Sequence, residues 1–171
     1  MIDVALALRT WLLLPSVSIG GQVQTNQVPV ILNAAFVTGG AFPNNTPDRI
    51  YVGHLVTGFD PKYGPGIVIR VGSGTTTGTG GGSSHPEIPL TMPRVQMTVF
   101  AGIQQYQVAR RVYRAAYDWM NRQTNIDLGI DSDGNEMYML SAIEQVEGQD
   151  VDEAHTGFAT NISFWKFMFR E

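Results

Sequence analysis

Pro93-Arg94-Val95-Gln96-Met97-Thr98-Val99-Phe100-Ala101-Gly102 alternates apolar and polar side chains, and a long helical pattern follows over residues 104–122. The alternation sets Val95, Met97 and Val99 on one face and Arg94, Gln96 and Thr98 on the other. That is a strand with one face on a core. In 104–122, Ala109, Val112, Ala116 and Met120 recur at three- and four-residue spacing, with Tyr113 and Tyr117 at the stripe's edge. This spacing predicts an amphipathic helix lying on a sheet.

Further strands flank this unit. Residues 136–147 alternate, with Tyr138, Leu140, Ala142 and Val146 on one face, Glu144 a misfit among them, and Met137, Met139, Ser141 and Ile143 on the other. The last run, 159–170, sets Ile162, Phe164 and Met168 against Ser163, Trp165, Phe167 and Phe169. Both faces are apolar, which predicts a strand covered on both sides, one by a sheet surface and the other by a subunit contact. The predicted core contains Leu8, Trp11, Leu12, Val95, Met97, Val99, Val112, Ala116, Leu140, Ile162 and Phe164. Asn121, Asn125 and Gly129 read as a loop after the main helix, and 148–157 as an acidic linker.

Towards the N-terminus, Val4, Leu8, Trp11 and Leu12 predict a helix that Pro15 ends. Val28–Val37 could hold a strand, since Val30, Ile31, Leu32 and Phe36 are strand-compatible, and Arg49–Val56 and Ile67–Val71 read as strands. Residues 72–84 are all Gly, Ser or Thr. Such a stretch buries nothing by itself and reads as a long loop on a hairpin-like excursion. The whole predicts one α+β domain over residues 1–171. It has a mostly antiparallel β-sheet, an N-terminal helix and one main helix packed on it, and a long Gly-rich loop.

Composition narrows the function. The chain has 171 residues, a net charge of -4, 43% hydrophobic residues and 15% charged residues. The acidic balance argues against non-specific nucleic-acid binding. With no Cys, thiolate metal sites, disulfides and Cys nucleophiles are excluded. Residues 2–14 are too short to span a bilayer and lack a basic leader, so a soluble, unprocessed chain without membrane contact is expected. The glycine stretch lacks the Lys of a phosphate loop, and Pro86 and Pro89 stand where a nucleotide fold needs a helix. Asp131-Ser132-Asp133-Gly134 begins like a calcium loop. Its sixth and twelfth positions hold Glu136 and Ala142, so a turn explains it better. His54, His85 and His155 show no ligand spacing. No catalytic signature is present, and neither an enzyme nor a cofactor is expected.

One charge pattern stands out. Asp127, Asp131, Asp133, Glu136, Glu144, Glu147, Asp150, Asp152 and Glu153 fall within 127–153, uninterrupted by Lys or Arg. Just upstream the helix carries Arg110, Arg111, Arg114 and Arg122. Two solvated surfaces account for this. So does a head-to-tail contact in which the Arg helix of one subunit meets Glu144 and Glu147 of the next and closes a ring.

The stretch His85-Pro86-Glu87-Ile88-Pro89-Leu90-Thr91-Met92-Pro93-Arg94-Val95-Gln96-Met97-Thr98-Val99-Phe100-Ala101-Gly102 resembles the centre of the tail terminator, or tail completion, proteins of long-tailed bacteriophages. The helix 104–122, a strand, an acidic Gly-containing loop and a final aromatic strand follow in that family's order. The resemblance covers residues 1–14 and 85–171. It implies a structural virion protein at the head–tail junction, assembled in the host cytoplasm as a homo-oligomeric ring, a hexamer. Its implied partners are the major tail tube protein and a neck or connector protein. DNA would pass the lumen without sequence-specific binding. An acidic lumen would repel the DNA backbone, which places Asp127, Asp131, Asp133, Asp150, Asp152 and Glu153 there or against a partner. A neck or head-completion protein is the nearest alternative, and a soluble ligand-binding α+β domain a more remote one.

Overall fold

A computed structural model of the chain describes residues 4–19, 22–34, 49–55, 59–61, 64–72, 76–80, 88–121, 123–130, 134, 136–151 and 157–170. In chain order the elements are α1 (Val4–Leu13), β1 (Ser16–Ile19), β2 (Gln22–Thr25), α2 (Gln27–Ala34), β3 (Ile50–Val52), β4 (Gly66–Val71) and β5 (Thr76–Gly80). There follow β6 (Ile88–Met92), β7 (Arg94–Ala101), α3 (Tyr106–Met120), β8 (Thr124–Ile130), β9 (Glu136–Val151) and β10 (Ala159–Arg170). This is the expected α+β class, with one mostly antiparallel sheet of eight strands among the described residues.

β10 is the spine of that sheet. β7 runs antiparallel along one edge, from Ala159↔Ala101 to Lys166↔Arg94. β9 runs along the other edge. Pro93 separates β7 from β6, and its carbonyl still accepts the Phe167 N–H at 3.2 Å. β4 lies beyond β7, and β8 beyond β9. Among the described strands, only β3 is parallel to its neighbour, β4.

Strand alternation explains the core. On β10 the residues Trp165, Phe167 and Phe169 are buried against the helices. Ile67, Ile69, Val95, Met97 and Val99 continue that face across β4 and β7. From α1, Leu8, Trp11 and Leu12 pack down onto it, and Ala109, Val112, Ala116 and Met120 from α3. Trp119 donates its indole N–H to the Trp11 carbonyl at 3.1 Å, which joins the two helices across 108 residues of chain. Trp11 meets Phe167 edge-on, with ring centroids 6.4 Å apart.

Several expectations need correction. Val28–Val37 is not a strand: α2 covers Gln27–Ala34, and 35–37 lie outside the described residues. Asn26 starts this helix by accepting the Val28 N–H at 2.9 Å. Pro29 falls in its first turn, where no helical N–H is needed. The strand expected over Arg49–Val56 is only Ile50–Val52, because Gly53 leaves the strand at φ +82°. Residues 124–130 form β8 in place of the expected loop. Within the Gly/Ser/Thr stretch, Thr76–Gly80 is a strand paired with Ile88–Met92. Residues 73–75 and 81–84 lie outside the described residues. β9 runs on to Val151, through the first part of the expected linker.

The core list also changes. Leu140 and Ile162 are half-buried, and Phe164 is 42% exposed. Ile162 and Phe164 point away from the helices, on the phase opposite to Trp165. In β9, Met139 and Ala142, expected on opposite faces, are both fully buried. A register shift between Met168 and Phe169 of β10 lies opposite the residues between them. A bulge of this kind carries an extra residue and swaps the faces beyond it.

Candidate assembly surfaces

α3 presents Arg110, Arg111 and Arg114 to solvent, while its apolar stripe lies on the sheet. Their surroundings differ. The Arg110 guanidinium is paired with Asp150 of the same chain, its Nε donating to Oδ2 at 2.8 Å. Asn161 Nδ2 donates to the other oxygen of Asp150 at 3.1 Å. Arg110 thus has an acidic partner in its own subunit, because β9 brings Asp150 back beside the first turns of α3. Desolvation works to raise the Asp150 carboxyl. The hydrogen bonds from Arg110 and Asn161 and the guanidinium charge outweigh it and hold it below its ordinary value.

The depressed carboxyl contributes stability above the unfolded-state value of about 3.9 and loses it as pH falls through the lower folded value. Arg110→Ala is expected to raise the Asp150 titration midpoint towards that ordinary value. A carboxyl-resolved NMR titration checks this, and an unmoved midpoint overturns the pairing.

Arg111 and Arg114 line a groove of about 390 Å³ between α2 and α3, floored by Ile31, Ala115 and Trp119. Arg114 also borders a second groove of about 490 Å³, shared with Tyr113, Tyr117, Asp118, Glu144 and Glu147. There the Tyr113 hydroxyl donates to Glu144 Oε1 at 2.8 Å. Burial pushes the Glu144 carboxyl up, and the charge of Glu147 adds to this against the pull of the Tyr113 hydrogen bond. Burial likewise pushes the Tyr113 phenol up, to about 12. Gly148 permits this arrangement, since a Cβ there would stand 2.7 Å from the Tyr113 ring.

Among the described residues, the predicted acidic positions do not share one surface. Asp127 is exposed on β8, Glu144 faces α3, Glu147 is exposed at the rim of the second groove, and Asp150 is tied to Arg110. Arg122, Asp131, Asp133, Asp152 and Glu153 lie outside the described residues. Glu136 is within 3.9 Å of Arg170, whose guanidinium lies over the Tyr138 ring.

A further surface lies on the side of the sheet away from the helices. Phe164, Val146 and Ile143 are 42%, 39% and 54% exposed there. The two-faced apolar pattern of 159–170 signalled it, although it assigned the faces in reverse. Among the described residues no group of three His, Cys, Asp or Glu could hold a metal ion. No described helix is long and apolar enough to cross a membrane. Neither a protein-family model nor a curated protein matches the chain.

Proposed function

We propose that this chain is a structural virion protein. It forms a hexameric ring at the head-proximal end of a phage tail tube, ends tube growth and joins the tail to the neck. The observation that carries this reading is the uncovered outer face of β9 and β10. Phe164, Val146 and Ile143 stand exposed beside one another on the two longest strands of the sheet. Exposed apolar clusters of that kind mark surfaces that other chains cover. The order of strand, α3, strand and aromatic β10 supports the same reading through the resemblance to tail terminators. Under it, DNA passes through the lumen, and exposed carboxylates such as Asp127 face it or a partner.

Negative-stain microscopy of the purified protein mixed with tail tubes tests this. Rings capping one end of tubes of uniform length are expected. A protein that binds connectors and ignores tubes belongs one layer nearer the head. One that stays a single chain and touches neither overturns the proposal.

A further inference from the structure

The outer face has a sharp chemical character. Two rows cross it in register. The first runs Arg70, Gln96, Phe164, Val146 over β4, β7, β10 and β9. The second runs Arg94, Lys166, Ile143. Arg70, Arg94 and Lys166 are all exposed, and neither row contains a carboxylate. In a chain of net charge -4, this is a local reversal of sign around an apolar centre.

The second groove has the opposite character. Tyr113 and Tyr117 form its aromatic wall, and Asp118, Glu144 and Glu147 outnumber its single cation, Arg114. The groove and the outer face lie on opposite sides of the same sheet. Glu144 pairs with Trp165 on the helix side, and Val146 with Phe164 on the other.

Resting on the ring reading above, we infer that these two surfaces are the two halves of the contact between consecutive copies. The Phe164 face of one subunit seats in the Tyr113–Tyr117 groove of the next. The occupant is a second copy because the complement to the cationic, apolar face is present on the chain itself. The contact is heterologous because a two-fold pairing of the outer face with itself would set Arg94 and Lys166 against like charge. Surfaces on opposite sides of a subunit propagate head to tail and close into a ring when the rotation permits. The Phe164 ring gains aromatic neighbours, and Arg94 and Lys166 gain carboxylates as counter-charges.

The test is solution mass, by sedimentation or light scattering, with circular dichroism confirming that each variant is folded. Wild type is expected to be oligomeric, and Phe164→Asp to fall to the mass of one chain. Two charge variants supply the decisive step. Arg94→Glu with Lys166→Glu makes the face acidic, and Asp118→Lys with Glu147→Lys makes the groove basic. Each alone is expected to be a single chain, since like charges then meet. Mixed in equal amounts, they are expected to recover the oligomer as alternating copies. Folded variants that keep the wild-type mass overturn the interface while leaving the ring reading intact. A mixture that stays monomeric overturns the pairing of face with groove. A wild type that is monomeric at every concentration removes the ring reading itself. A monomeric wild type that binds duplex DNA, with binding lost in Arg94→Glu, assigns the face to nucleic acid and overturns the inference.

Discussion

Trp165→Ala is expected to cost about 3–5 kcal/mol, the range for removing a large aromatic side chain from a packed core. Trp165 has no exposed surface. Its ring stacks on Phe167 at 6.2 Å and lies 6.1 Å from Tyr117. Its indole N–H donates to Ser163 Oγ at 2.9 Å, so the truncation also strands a buried hydroxyl. A domain of this size has roughly 5–15 kcal/mol of stability in total, so the variant stands close to unfolding. Urea denaturation reads the effect as a lower midpoint at unchanged slope. Phe164→Ala, one residue away and on the other face, is expected to cost under about 1 kcal/mol in the isolated chain. Equal costs at the two positions would mean that the faces of β10 are assigned wrongly.

That pair of positions also shows where sequence reading stops. In β10 both phases are apolar, so alternation does not choose between them. Asn161 and Ser163 make the Trp165 phase look wet. Both are nevertheless buried, Ser163 beneath the Trp165 indole and Asn161 against Asp150. Each has a local partner that offsets its burial, although the buried Asn161 Oδ1 has none among the described residues. β7 and α3 were legible because each carries one clean period with one apolar face. α2 was not, because Val28, Val30 and Ile31 favour strands by composition, while the start signal of the helix is a single side chain, Asn26. β9 was legible as a strand, yet its faces were not: Gly148 marks the register shift opposite Ser163, while those nearer Leu140 and Gln145 carry no such residue.

The charge pattern was legible only as a linear run. Its division into Asp150 beside Arg110, Glu144 beneath Tyr113 and Asp127 on β8 follows from β8–β9 pairing and from contacts between α3 and β9 across 31 and 40 residues. Short-range periodicity carries no information about such pairings. The cationic row on the outer face was hidden for the same reason. Arg70, Arg94 and Lys166 come from three separate strands and meet only when those strands are placed in register.

Asn26→Ala is expected to destabilise the chain by about 3 kcal/mol, since one helix cap is lost and a buried and a part-buried carbonyl lose their donor together. Asn26 is 1% exposed. Its Nδ2 donates to the Leu12 and Leu14 carbonyls, each at 2.8 Å, where α1 ends and its last carbonyls lack helical partners. Its Oδ1 caps α2 through Val28. One amide thus holds the end of α1 against the start of α2, and neither a pure donor nor a pure acceptor replaces it. Asn26→Asp isolates the donor half. The carboxylate keeps the Val28 cap but turns a charge onto two carbonyl oxygens with no proton to give. Burial and those oxygens raise its folded pKa above the unfolded value of about 3.9. Stability of this variant relative to wild type is therefore greatest in acid, where the protonated carboxyl donates to one carbonyl, and falls as pH rises through the raised value. The deficit of Asn26→Ala relative to wild type is flat over the same range, because alanine does not titrate. Denaturation midpoints of the three proteins across that range measure both effects. A parallel, pH-independent deficit in Asn26→Asp would mean that the amide does not face the Leu12 and Leu14 carbonyls, and that the junction of α1 and α2 is held by packing alone.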